Sequence, residues 1–350
     1  MSLSHHLGGC DSCGETNCRL SFSSRGIAPV LDRTAYVLDE VWPEFDSYIT
    51  ANRRDDDQVL APGLFGKTLP RYAWSGARPM AGWATLSRHL AMHRVARAAG
   101  KIRQAAYLKA DADVAAALGR KVDFTAGHLV VQQTLLPFLW RDGVLGGRTF
   151  DVLMTRYPLG DLHRRLDEAA KRWPQSPTIA DFRAPASIVA AETAALGAAR
   201  RLITPHHDIA LGFAGRGHWL AWRSPAIKPE TLGHRTAFLG PSIARQGAYE
   251  VRELAGSLPE PLIVFGQDLE AADFWTGVTI ERRVLGRGWL ADIGTIVHPA
   301  VVTHQPRRLL EAAAHGVAIH AHPSCGLAPG QFVPFDTATA ALRNNRRVNS

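Results

Sequence analysis

Apolar positions along this chain change rhythm near residue 120. From residue 1 to about 80, Gly, Ser, Pro and Asp break up short apolar runs such as Ala35-Tyr-Val-Leu-Asp-Glu-Val41, so the stretch reads as irregular, with a turn at Arg53-Arg-Asp-Asp-Asp57. Residues 85–118 are rich in Ala, Leu and Arg, with Leu86, Leu90, Ile102, Ala105 and Leu108 near helical spacing around a break at Gly100. Beyond 120, short β-rich runs alternate with Ala- and Leu-rich helical ones. Strands are expected at 129–131, 150–155, 178–182 and 202–204, with a helix over 188–201. A Pro-rich passage, Ser224-Pro-Ala-Ile-Lys-Pro229, reads as a linker. After it, strands are expected at 236–239, 262–265, 278–281, 293–297 and 317–319, with helices over 249–257 and 306–315.

Strands spaced between helices imply parallel sheets, hence an α/β chain of two Rossmann-like domains facing a cleft, with an irregular N-terminal extension. The expected divisions are a Cys-containing segment 1–80, domains 81–224 and 225–336, and a tail 337–350. Ligands of such sheets lie beyond the carboxyl ends of the strands. That rule selects Arg156, Asp181, Arg183, His206 and His207 in the first domain. In the second it selects Ser242, Arg245, Asp268, His298, Thr303, His304, Arg307 and Cys325. A set so rich in Arg and His suits an anionic ligand. Asp181 is the best first-domain carboxylate for deprotonating a hydroxyl. Either His206 or His207 suits acid–base work or phosphate binding, although adjacent residues seldom both point into one site. No nucleophile elbow, Walker loop or dinucleotide fingerprint competes.

Two segments of the second half carry a family resemblance. Phe238-Leu-Gly-Pro-Ser-Ile-Ala-Arg245-Gln246-Gly247 is similar to the strand, phosphate loop and helix start of a donor domain, and Val301 to Ile319, with Leu310-Glu311-Ala-Ala-Ala-His-Gly316-Val-Ala-Ile, is similar to a Leu-Glu-Ala-x-Ala-x-Gly-x-Pro-Val element. Together they resemble the GT-B glycosyltransferases, in particular the retaining family 4, over roughly residues 120 to 335. The resemblance implies sugar transfer from a nucleotide-sugar donor to a glycan, lipid-linked or other acceptor, usually with no metal needed for transfer. It places the acceptor in the first domain, the donor in the second, and Glu311 on the donor ribose. Pro306 suits a helix start, whose N–H groups with Arg307, Arg308 and Arg245 would hold a diphosphate. The family's Glu-x7-Glu is incomplete, because Thr303 stands where the first Glu belongs, and its Lys-Gly is Gln246-Gly247. The missing carboxylate normally touches the donor sugar, which keeps a non-catalytic nucleotide- or sugar-binding relative as the alternative.

Composition adds bounds. With 350 residues, 46% hydrophobic and 21% charged, the chain is globular and long enough for two domains. No apolar window approaches the ~20 residues of a membrane span. Forty basic against 32 acidic residues give +8, and Arg78 to Lys121 holds nine Arg or Lys against Asp111 and Asp113. The helix bearing Arg88, Arg94, Arg97, Lys101, Arg103 and Lys109 is either a solvated basic face or a peripheral contact for an anionic membrane. No zinc-finger, RRM or KH signature accompanies it, so nucleic acid is not an expected partner. The first residues lack a secretory pattern and the four cysteines are too few for a disulfide scaffold, which leads to a cytoplasmic expectation, at most peripheral to the membrane. Cys10-x2-Cys13-x4-Cys18 offers three soft ligands for a structural zinc or iron, or else three free thiols.

Overall fold

A computed structural model describes residues 33–96, 98, 100–181, 183–226 and 233–336. Among these, two compact units separate: one takes in 33–160, 183–204 and 213–220, the other 161–181, 205–212 and 221–336.

The elements run β1 (Arg33–Val37), α1 (Pro43–Asn52), β2 (Gln58–Pro62), β3 (Arg78–Met80), α2 (Gly82–Val95), α3 (Gly100–Gly119), β4 (Ala126–Gln132), α4 (Leu136–Arg141) and β5 (Thr149–Leu153). There follow α5 (Leu159–Arg172), α6 (Ala186–Ala198), β6 (Arg201–Thr204), α7 (His207–Leu211) and β7 (Gly217–Trp219). The first unit's sheet has the order β3-β2-β1-β4-β5-β6-β7, every pair parallel. The segment expected to be irregular therefore supplies β1, β2 and β3, with β1 in the sheet's interior. The reason is physical: a five-residue strand buried on both faces shows no alternation, so Ala35, Tyr36 and Val37 read from sequence only as a short apolar run.

The second unit contains β8 (Arg235–Phe238), α8 (Ala248–Ala255), β9 (Leu262–Phe265), β10 (Ile280–Arg283), β11 (Ile293–His298), α9 (Arg307–Ala314), β12 (Ala318–Ala321) and β13 (Val333–Pro334). Its sheet runs β10-β9-β8-β11-β12-β13, again all parallel. Both orders reverse beside the first strand of their sheet, the winding of a Rossmann-like unit. All four residues of β9 are buried, and α8 lays Val251 and Leu254 against Phe238, Val264 and Val297. Burying one such aliphatic side chain contributes about 1.5–3 kcal/mol, so this face of α8 fixes the helix, and with it the loop before it.

Two stretches expected in the first domain cluster with the second unit, and each has a visible anchor. After α5, Trp173 stacks on Tyr249 with ring centroids 4.7 Å apart. Ahead of α7, His206 bonds to Thr303. Residues 178–182 were expected as a strand but hold a turn at 179–180, closed by Asp181 N–H donating to Thr178 O at 3.2 Å. Pro174 and Pro177 precede that segment, and the hydroxyls of Ser176 and Thr178 donate to Glu270, which ties the turn to the second unit.

Candidate functional site

The strand-end rule directs attention to the loops after β8, β11 and β12, and glycine explains how closely two of them meet. Gly247 caps α8 at φ 81, and a Cβ there would lie 2.4 Å from Pro299 O. Only glycine permits this left-handed turn against a neighbouring backbone. The loops are then joined by Val301 N–H donating to Arg245 O at 2.9 Å.

Beside them, at the carboxyl ends of β11 and β12, is a crevice of about 420 Å³. Pro299 to Val301 and His322 to Ser324 form its base, α8 contributes Glu250, α7 contributes Asp208, and α5 contributes Arg165, Glu168 and Arg172. Asp336 completes the charged lining. Arg165 pairs with Asp208 at 2.9 Å and Arg172 with Glu250 at 3.4 Å. Glu250 Oε1 also accepts from Trp173 Nε1–H at 3.1 Å, while Glu250 Oε2 is buried without a partner among the described residues. Two guanidiniums therefore face four carboxylates, and His322 adds no charge because burial lowers its pKa. The crevice is acidic on balance, not the cationic cleft expected from sequence. Carboxylates accept hydrogen bonds only, so this lining matches hydroxyl donors better than phosphates.

Behind the crevice two imidazoles hold the β11–α9 loop. His206 is buried; its Nδ1 accepts from Ile209 N–H at 3.3 Å, which leaves Nε2–H to donate to Thr303 O at 3.0 Å. Burial takes its pKa down to about 4. At the end of β11, His298 Nε2 lies 2.7 Å from Thr303 Oγ1, and burial brings this pKa down to about 4 as well. Thr303 N–H donates to Ser324 O. Thr303 is thus fixed through its amide, its carbonyl and its hydroxyl.

On α9, Glu311 accepts from Trp289 Nε1–H at 3.1 Å and Arg308 Nη1 at 2.9 Å, and its side chain stays about one-third exposed at 34%. Each oxygen retains a lone pair for a further donor. Arg307 lies over the Trp222 ring at 5.1 Å. Pro306 sits one place before the helix, whose first residue is Arg307.

No protein-family model matches the chain, and no curated protein matches it. Among solved structures it is similar to the apo form of the lipopolysaccharide outer core galactosyltransferase WaaB, at 9% identity over 91% of each chain and TM-score 0.48. It is also similar to CalG4, the calicheamicin glycosyltransferase, at 12% identity over 90% of this chain and 92% of that one, TM-score 0.40. A UDP-glucose: anthocyanidin 3-O-glucosyltransferase in complex with UDP matches at 7% identity over 92% and 93%, TM-score 0.40. At these values the likenesses carry no argument, and the Rossmann-like winding stands on the strand orders themselves.

Several candidates from the sequence land elsewhere than expected. His206 is a buried structural latch with both ring nitrogens committed, so it is not placed to exchange a proton with a ligand. His207 is half-buried and starts α7, its N–H donating to Gly326 O at 3.1 Å. Asp181 is half-buried in a turn and not at a strand end. In the first unit, Arg156 is neutralised by buried Glu192 at 2.8 Å, and Arg183 is half-buried. Arg245 and His304 are half-buried in the strand-end loops of the second unit, and Arg307 is half-buried at the first position of α9. Cys325 is buried, and burial pushes its thiol up to about 11, so it is a protonated core thiol and not an exposed strand-end group. Cys10, Cys13, Cys18 and Arg97 lie outside the described residues, among which no group of three or more His, Cys, Asp or Glu could hold a metal. No helix of the described residues is long and apolar enough to cross a membrane. The crevice residues Arg165, Asp208, Glu250 and His322 were missed because they carry no motif. The strong amphipathicity of α5 is the one signal that could have found Arg165 and Arg172.

Proposed function

We propose that the chain is a glycosyltransferase that moves a sugar from a nucleotide-sugar donor, held at the carboxyl ends of the second sheet, to a hydroxyl-bearing acceptor. The observation that carries this reading is the acidic lining of the crevice, where Glu168, Asp208, Glu250 and Asp336 gather at the carboxyl ends of β11 and β12 and suit the hydroxyl donors of a sugar. The diphosphate is assigned to the neighbouring starts of α8 and α9, with Arg245 and Arg307, where free N–H groups and helix dipoles favour anions. Glu311, steadied by Trp289 and Arg308, is assigned the ribose hydroxyls. Retention of configuration and a glycan or lipid-linked acceptor follow from the family 4 resemblance. Departure of the nucleotide builds negative charge on the diphosphate, and the guanidiniums with the helix dipoles stabilise it electrostatically. Of the carboxylates, Asp181 remains the proposed base for the acceptor. Peripheral contact with an anionic membrane is assigned to the exposed face of α2, where Trp83, Ser87, Leu90 and Arg94 follow helical spacing.

One observation favours the alternative of a binding protein without turnover. Thr303, at the position of the missing first carboxylate, has its polar groups committed to Ser324, His206 and His298. The two readings share the sugar contact, which Glu250→Gln tests. Glu250→Gln keeps an acceptor for Trp173 and removes the charge, so nucleotide-sugar affinity should fall by about 1.5–3 kcal/mol while nucleoside-diphosphate affinity stays put. Equal loss for both ligands would remove Glu250 from the sugar site. Sugar release in a turnover assay then separates enzyme from binder.

A further inference from the structure

At the amino ends of the first unit's strands, opposite the ends where such sheets bind their main ligand, lies a polar pocket of about 370 Å³. Interior strands of a parallel sheet should be apolar on both faces. Here the register instead sets Thr34, His128 and Thr149 side by side in one row, and Tyr36, Val130, Asp151 and Arg201 in the next. Tyr48 and Asn52 of α1 cover the same face.

The centre of the pocket is Asp151, fully buried. One oxygen accepts from Arg200 Nε at 3.0 Å; the other accepts from Arg200 Nη2 at 2.9 Å and from Arg201 Nε and Nη2 at 3.1 and 2.9 Å. His128 Nε2 stands 3.4 Å from the same carboxylate and 3.3 Å from Arg200 Nη2. Burial alone would raise the Asp151 pKa, but the hydrogen bonds from His128, Arg200 and Arg201 outweigh it and keep the group ionised. One guanidinium would neutralise this carboxylate, yet two are bound to it, and since Arg54 and Asp57 of the same lining offset each other, the pocket keeps an excess of one positive charge without His128. Both arginine side chains remain about half exposed, at 53% and 45%. Among the described residues their Nη1 groups have no partner. Asp151 thus holds two guanidiniums in fixed orientation, which lowers the entropy cost of capturing an anion between them. Hydroxyls of Thr34, Thr149, Tyr36 and Tyr48 share the remaining wall with Arg54 and with Asp57, whose carboxylate oxygens accept from the Thr34 and Arg54 amides.

We infer that this amino-end pocket is a second ligand site, for a phosphate group carried by a small molecule or free in solution, with Arg200 and Arg201 as its binding residues. The volume is at the low end of small-molecule pockets, roughly 300–1,000 Å³, which matches one phosphate group or a small molecule bearing one. Nothing in this inference depends on the glycosyltransferase reading, since no residue of the carboxyl-end crevice takes part.

The test is calorimetric titration of the full chain with inorganic phosphate and, separately, with ribose 5-phosphate, while the ring resonances of His128 are followed by NMR. Saturable binding with a shift of His128 is expected, weakened about tenfold or more in Arg200→Gln and in Arg201→Gln. Each single variant leaves Asp151 one guanidinium, so the buried carboxylate stays paired. Tighter binding of ribose 5-phosphate identifies an organic phosphomonoester as the ligand; equal or tighter binding of inorganic phosphate identifies the free ion. Absence of saturable binding, binding that both variants retain in full, or binding that leaves His128 unmoved would overturn the site. Should the variants fail to fold, the His128 shift in the unmodified protein decides alone.

Discussion

Replacing His206 by Asn should make the second unit less stable at neutral pH but more stable in mild acid. The Asn side chain can still accept from Ile209 N–H, as Asn does at helix starts, and it does not titrate. What it loses is the Nε2–H bond to Thr303 O, worth about 1 kcal/mol. In the unfolded chain the imidazole takes up its proton near the ordinary 6.5, whereas in the folded unit it resists until about 4. Between these values the unfolded state binds more protons, so the stability from this group is fully present above 6.5 and is lost as pH falls toward 4. The loss by the lower limit is about 3 kcal/mol, larger than the hydrogen bond removed by the substitution. The order of stability should therefore reverse inside the window. Urea denaturation at several pH values, read by tryptophan fluorescence, measures this directly. His298 contributes a parallel slope, and Asp111, whose carboxyl is pushed up by burial, an opposing one. Both are common to the two proteins and cancel in the difference. A constant gap between the proteins from neutral pH down to about 4 would refute His206 as a buried neutral latch.

Other expectations follow from single contacts. Glu311→Ala should weaken nucleoside-diphosphate binding by about 1.5–3 kcal/mol, as for a hydrogen bond to a charged group; unchanged affinity in isothermal titration removes Glu311 from the ribose. Gly326 has φ 82 and a Cβ there would lie 2.5 Å from the His206 ring. Gly326→Ala should thus cost more than the ~1 kcal/mol of backbone strain alone, seen as a lower denaturation midpoint. A loss no larger than that ~1 kcal/mol of backbone strain would show that the His206 ring has room to move.

The sequence revealed the second unit far better than the first. Leu262 to Phe265 is a continuous apolar run between turn residues and forms β9 at those limits. The Leu310 to Gly316 stretch forms α9 and its following turn, because its helical signal is local. By contrast β1 and β2 are short and buried on both faces, so nothing periodic marks them, and β7 is a three-residue strand with all residues exposed. Candidate site residues could be named from sequence only where a motif carried them, as at Glu311, whose ribose role remains a proposal. Glu250 and Asp208 became neighbours through the packing of α7 and α8 onto distant loops, which no spacing encodes. His206 misled for a related reason. A polar residue after a strand can point outward or, as here, cap the next helix and face the core.

The central claim is a nucleotide-sugar site in the second unit, and calorimetry on the full chain tests it most directly. A panel of nucleoside diphosphates and their sugar conjugates should contain at least one pair that binds with one-to-one stoichiometry, the sugar conjugate more tightly. That added affinity should vanish in Glu250→Gln. If neither the diphosphates nor their conjugates bind the intact protein, the account is contradicted.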